Sequence, residues 1–179
     1  MLEISKTALV VVDVQGKLAE LMSGKESLFA NIAILIKAAN ILGIPIIWCE
    51  QVPDALGPTV AEIAGLLECT EPIDKYTFSC CSNREFSTRI KEIKPSQVML
   101  TGIEAHICIY QTAMDLMDRD IDVNVIADAV SSRTPENKHI ALQRLNSEGA
   151  LLSTTEMALF ELLKDAKHEN FKEIAKLVK

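Results

Sequence analysis

The chain has 179 residues, 49% of them apolar and 24% charged, with a formal net charge of −7. That length suits one domain with a sizeable core, here residues 1–179. The interspersed acidic and basic residues argue against electrostatic binding to nucleic acid or an anionic membrane, and no apolar run approaches the roughly 20 residues of a spanning helix. Met1 to Lys6 shows no basic stretch followed by an apolar one, so a secretory leader is not expected. The five cysteines, Cys49, Cys69, Cys80, Cys81 and Cys108, are odd in number and lack the spacing of a disulfide framework. Reduced thiols in a cytoplasmic protein are the simpler expectation. His106, His139 and His168 are far apart, which argues against a histidine metal site. Neither Gly-x-Gly-x-x-Gly nor a Walker-type loop occurs, so no nucleotide cofactor, and no cofactor of any kind, is expected.

Thr7 to Gln15 is a β-branched, nearly continuous apolar run, the pattern of a strand covered on both faces. Ser23 and Glu26 form a candidate capping box for a helix carrying Leu28, Ile32, Leu35, Ile36, Ala39 and Leu42 on one face, and Gly43 ends it. Ile44 to Glu50 reads as a second strand, with Pro45 near its start. Gln51 to Pro58 reads as a loop, Thr59 to Leu67 as a short helix, and Pro72 to Ser79 as the place of a brief third strand. A helix over Arg84 to Ile93 stops before Pro95, and Gln97 to Thr101 is a fourth strand. A helix over His106 to Arg119, a fifth strand over Val123 to Asp128 and a helix over Pro135 to Ser147 follow. A sixth strand over Ala150 to Ser153 and helices over Thr155 to Lys164 and Asn170 to Val178 close the chain.

Strands alternating with amphipathic helices predict an α/β fold: a doubly wound, six-stranded, mostly parallel sheet in the order 3-2-1-4-5-6, with helices on both faces. Ligands bind such sheets beyond the carboxyl ends of the strands. Asp13, the loop from Glu50, Lys75 and the 102–108 turn all fall at or after such ends. Cys108 sits where an apolar strand turns into a helix, and the unpaired N–H groups there favour a thiolate. A thiol, a carboxylate (Asp13) and an ammonium (Lys75) suffice for covalent hydrolysis of an acyl compound. Cys49, Cys69, Cys80 and Cys81 read as small buried hydrophobes, Asp128 as structural, and Trp48 as core.

Three blocks carry a resemblance: Val11-Val12-Asp13-Val14-Gln15, Asp74-Lys75-Tyr76-Thr77-Phe78-Ser79 and Thr101-Gly102-Ile103-Glu104-Ala105-His106-Ile107-Cys108. In this order and spacing they resemble the isochorismatase-like cysteine hydrolases, and Glu50-Gln51 with Leu56-Gly57-Pro58-Thr59-Val60 resembles that superfamily's short members of unassigned substrate. The resemblance implies a triad of Asp13, Lys75 and Cys108, and a cis peptide at Ile103-Glu104 that aims the Glu104 N–H, beside that of Cys108, at an oxyanion. The nicotinamidases of that superfamily place a His in the metal cluster after the second strand; residues 50–57 contain none, so no metal is expected. Isochorismatases proper do not use a cysteine nucleophile, and Cys108 therefore favours acyl chemistry. The implied activity is metal-independent hydrolysis of a small amide, imide or ester through a thioester on Cys108, in a homo-oligomer whose partner is a small-molecule substrate. A scaffold or redox-sensing protein on the same fold is the alternative. Gln15, Glu50, Gln51, Tyr76 and Phe78 are pocket candidates: Glu50 and Gln51 fit a pocket or a solvated loop, Tyr76 and Phe78 a core or a substrate wall, and His106 a solvent-facing ring or a functional one.

Overall fold

The structure is a computed structural model and describes residues 1–67 and 70–179. Cys69, expected to be buried, lies outside the described residues.

The strands are β1 Thr7–Val12, β2 Ile46–Gln51, β3 Ile73–Lys75, β4 Gln97–Ile103, β5 Asp122–Ser131 and β6 Leu151–Ser153. They form one sheet in the order β3-β2-β1-β4-β5-β6, as predicted, and each pairing is parallel where a mostly parallel sheet was expected. The helices are α1 Gly16–Glu20, α2 Lys25–Leu42, α3 Pro53–Leu56, α4 Ala61–Ala64, α5 Arg84–Ile93, α6 Tyr110–Met117, α7 Pro135–Ser147, α8 Thr155–Leu163 and α9 Phe171–Leu177. No helix among the described residues is long and apolar enough to cross a membrane.

Alternation along the strands divides the core in two. Leu9, Val11, Trp48 and Met99 pack with α2, α8 and α9, whereas Val10, Val12, Ile47 and Leu100 pack with α5, α6 and α7. All six residues of β1 are buried, because β1 is central and covered on both sides.

Several local expectations are corrected. Helix α2 starts at Lys25 behind a left-handed Gly24 (φ 65) with no side-chain cap, so the Ser23–Glu26 box does not form. Ser23 is held elsewhere: its N–H donates to Ser132 O at 3.0 Å and its carbonyl accepts from Ser131 Oγ at 2.7 Å. The expected 51–58 loop contains α3, with Pro53 in its first turn. The fifth strand runs three residues beyond Asp128, to Ser131, across a bulge; Leu100 pairs with Val125 but Gly102 with Val130. Asp128, in that bulge, anchors α8, its Oδ1 accepting from Thr155 N–H (2.8 Å) and Oγ1 (3.0 Å).

Candidate active site

The carboxyl ends of β1, β3 and β4 bring together the thiol, carboxylate and ammonium singled out in the sequence. Asp13 follows β1 in the left-handed region (φ 57), a conformation that Asp tolerates better than most side chains. Its N–H is held by Cys49 O at 3.0 Å. Lys75 ends β3 and is completely buried. After β4 the chain turns at Glu104 (φ 55, ψ 60) into a π-helical turn, Ala105–Ile109, that carries Cys108. Gly102, just before this turn, has φ 129, and a Cβ there would stand 2.1 Å from the Val12 carbonyl oxygen. Glycine alone lets β4 approach β1 this closely, one residue from Asp13.

The Ile103–Glu104 bond is trans, in contrast to the cis bond implied by the resemblance. The reversal is made instead by the positive φ of Gly102 and Glu104.

Lys75 Nζ lies 2.7 Å from Asp13 Oδ2, 2.6 Å from Gln51 Oε1 and 3.2 Å from each of the Thr77 and Phe78 carbonyl oxygens. An ammonium removed from water requires such a shell. The other Asp13 oxygen, Oδ1, receives no N–H or O–H among the described residues. The Cys108 thiol is its neighbour on the cavity wall and works to lower the Asp13 pKa. Burial raises the Asp13 pKa above 3.8 and outweighs the lowering by Lys75. Burial works to lower the Lys75 pKa, but the Asp13 charge and hydrogen bond together with the neighbouring thiols hold it above the ordinary lysine value. For Cys108, burial and then the Asp13 charge push the pKa far above 9.0, with Lys75 only partly opposing them. In the resting site the thiol is therefore held neutral beside the paired Asp13 and Lys75. The thiolate expected from the helix terminus alone is not favoured, because burial and the adjacent carboxylate outweigh it.

A cavity of about 280 Å³ opens onto Asp13 and Cys108. Leu18, Leu56, Ile103 and Ile107 give it apolar walls, and Gln51, Phe78, Glu104 and Arg133 complete it. Gln51 and Phe78, two of the pocket candidates, line this cavity. Gln15 is buried behind it, its Nε2 donating to Gly57 O (2.7 Å) and Gln51 O (3.2 Å) and its Oε1 accepting from Gln51 N–H (2.5 Å). Glu50 is a brace, accepting from Thr59 N–H at 2.6 Å. Tyr76 is 72% exposed and outside the lining, which corrects its assignment to the pocket: it follows β3 on the solvent side of the turn. His106 Nδ1 is 2.9 Å from Ser132 Oγ, and its Nε2 is 3.5 Å from Glu104 Oε2. Arg133 was not foreseen. It reaches the site because β5 extends past Asp128, and its Nε donates to Glu104 Oε1 at 3.1 Å. Leu18 and Leu56 were missed with the short helices α1 and α3 that carry them. Among the described residues no three His, Cys, Asp or Glu side chains converge as a metal-holding group.

A parallel sheet of this order, with a polar cluster beyond the carboxyl ends of its central strands, is an isochorismatase-type hydrolase fold. The family model described as the isochorismatase domain matches residues 7–157, and the chain belongs to that family. Isochorismatase domain-containing protein 2 of Danio rerio is 42% identical over 172 residues, covering 96% of this chain and 86% of the relative. The structure of the MAR1 ribonuclease from Caenorhabditis elegans matches with a TM-score of 0.92 at 38% identity, covering 99% of this chain and 91% of that one. The YcaC gene product of Escherichia coli, described as an octameric hydrolase of unknown specificity, shares the fold with a TM-score of 0.93 at 23% identity, over 98% of this chain and 88% of that one.

Proposed function

We propose that the protein is a cysteine hydrolase that cleaves a small amide, imide or ester through a thioester on Cys108. The observation that carries this reading is the Asp13 carboxylate, with one oxygen fixed by Lys75 at 2.7 Å and the other left to the Cys108 thiol. Asp13 Oδ1 takes the thiol proton as sulfur attacks the carbonyl carbon. Lys75 keeps the carboxylate oriented and balances the charge that moves onto it. The Glu104 N–H, which makes no backbone hydrogen bond among the described residues, and the Cys108 N–H receive the oxyanion. On collapse the carbon–nitrogen or carbon–oxygen bond breaks, and the leaving group takes the proton from Asp13. Asp13 then deprotonates a water that attacks the thioester, releasing a carboxylic acid and returning the proton to sulfur.

The test is a panel of small amides, imides, ureides and esters, with RNA included because the C. elegans relative is named a ribonuclease. Intact-mass analysis should trap an acyl adduct on Cys108, and Cys108→Ala and Cys108→Ser should lower turnover at least about 10³-fold. Near wild-type hydrolysis by both variants overturns the assignment. Reversible peroxide oxidation without hydrolysis of any panel member would favour the redox reading.

A further inference from the structure

We propose that His106 is a positioning residue for the reaction: it staples the turn after β4 to the end of β5 and so keeps the Glu104 N–H aimed at the oxyanion. This rests on the cysteine hydrolase reading and adds a residue that the mechanism above does not use. His106 is absent from the cavity lining, so it acts through Glu104 rather than on a substrate.

The imidazole makes two contacts. Nδ1 lies 2.9 Å from Ser132 Oγ, and Nε2 faces Glu104 Oε2 at 3.5 Å. A carboxylate only accepts, so the proton of the neutral ring belongs on Nε2, and Nδ1 accepts from the Ser132 hydroxyl. Ser132 is completely buried and directly follows β5. Its carbonyl accepts from Ser23 N–H at 3.0 Å and from Ser131 Oγ at 3.3 Å. The ring is therefore tied to a point fixed outside the turn that it braces.

Glu104 needs that brace. It is left-handed (φ 55, ψ 60), a costly conformation for a residue with a Cβ, and one that persists only where the surroundings enforce it. Relaxation toward an extended backbone would swing its N–H off the oxyanion. What the surroundings hold is the carboxylate, 7% exposed, between Arg133 (Nε at 3.1 Å, Nη2 at 3.4 Å) and His106. Arg133 is a long side chain, 52% exposed, and an ion pair so open to water fixes little. His106 is 23% exposed, short, and hydrogen-bonded to a buried hydroxyl, so it is the stiffer of the two anchors.

Two reagents separate this role from a merely structural one. p-Nitrophenyl acetate acylates Cys108 through a tetrahedral oxyanion: the carbon–sulfur bond forms, the thiol proton passes to Asp13, and p-nitrophenolate leaves. Iodoacetamide alkylates the same sulfur with loss of iodide and forms no oxyanion. Rates of both at Cys108 are followed by intact mass at one pH. His106→Ala should slow acylation about 10- to 100-fold while alkylation stays within about twofold of wild type. His106→Gln, which can return a donor to Glu104, should recover part of the acylation rate. Ser132→Ala, the smaller change, should slow acylation about three- to tenfold and spare alkylation, and it carries the test if His106→Ala does not fold. Acylation unchanged in these variants, or slowed no more than alkylation, overturns the proposal while leaving the nucleophile in place. If neither reagent modifies Cys108 in the folded wild type but both do once it is unfolded, the cysteine hydrolase reading falls as well.

Discussion

At the scale of single residues, the site is governed by the way Asp13 divides its two oxygens. One is held by a completely buried ammonium, and the other is left to a buried thiol. Removing either charge strands its partner. Asp13→Asn should abolish turnover and destabilise the fold by about 3–5 kcal/mol, the usual result of leaving one member of a buried pair uncompensated. The double variant Asp13→Asn/Lys75→Met should be less destabilised than the sum of the singles, which urea unfolding would show. Additive losses would mean that the pair is not coupled. The same carboxylate should set the acid limit of activity. The proposed mechanism requires its ionised form, and burial raises its pKa above 3.8, so kcat/KM should fall as pH drops through a value above 3.8. An acid limb at or below 3.8 would indicate a carboxyl not desolvated in this way. Asp13, Lys75 and Cys108 were legible in the sequence because each sits beside a strand end or turn with its own pattern. The neutral resting state of the thiol was not legible, since it depends on a carboxylate 95 positions away in the chain and on burial that no local pattern encodes.

Among elements, β4 and the turn after it carry the most consequence. Gly102 permits β4 to run against the end of β1, and Glu104 then reverses the chain into the π-helical turn that carries Cys108. Gly102→Ala introduces a Cβ 2.1 Å from a backbone oxygen at φ 129, and neither side of that contact is a flexible side chain. The expected result is a loss of stability of more than about 2 kcal/mol together with weakened activity, since Val12 is the residue before Asp13. Thermal unfolding and turnover checked together would test this; a variant with wild-type stability would show that the strands can separate at no cost. Elements with strong local signals were read well. Helix α5 has the predicted limits, capped by Asn83, whose Oδ1 accepts from Glu85 and Phe86 N–H. The misses share a physical origin: α1 and α3 are five and four residues long, too short for helical periodicity, and the end of β5 lies beyond a bulge that interrupts its pattern. Those weakly patterned segments supply Leu18, Leu56 and Arg133, so the three convergent side chains of the candidate site were readable while much of the cavity wall was not.

For the whole molecule, the packing that buries both sheet faces also buries thiols, and this gives the fold a characteristic response to alkali. Cys81 is pushed up to about 12 by burial, Cys49 is raised by its hydrogen bond to Cys80 together with burial, and Cys108 is raised by burial and Asp13. In the unfolded chain these thiols ionise near 9.0, whereas in the folded one they stay protonated longer. Each contribution to stability is therefore complete below that value and is lost as pH rises toward the folded pKa. Above it the folded state binds more protons, so stability must fall with pH, by at most about 1.4 kcal/mol per pH unit for each thiol. Lys75, also raised in the fold, adds a loss of the same sign at higher pH. Urea midpoints measured from about pH 8 to about pH 11 should decline steadily. Cys81→Ala should flatten that decline between 9.0 and about 12 without requiring any change in the chemistry at Cys108, because Cys81 lies against Thr112 in the α5–α6–α7 half of the core rather than on the cavity wall. Equal slopes for wild type and Cys81→Ala would show that this thiol ionises as readily folded as unfolded, and that its side of the sheet admits water.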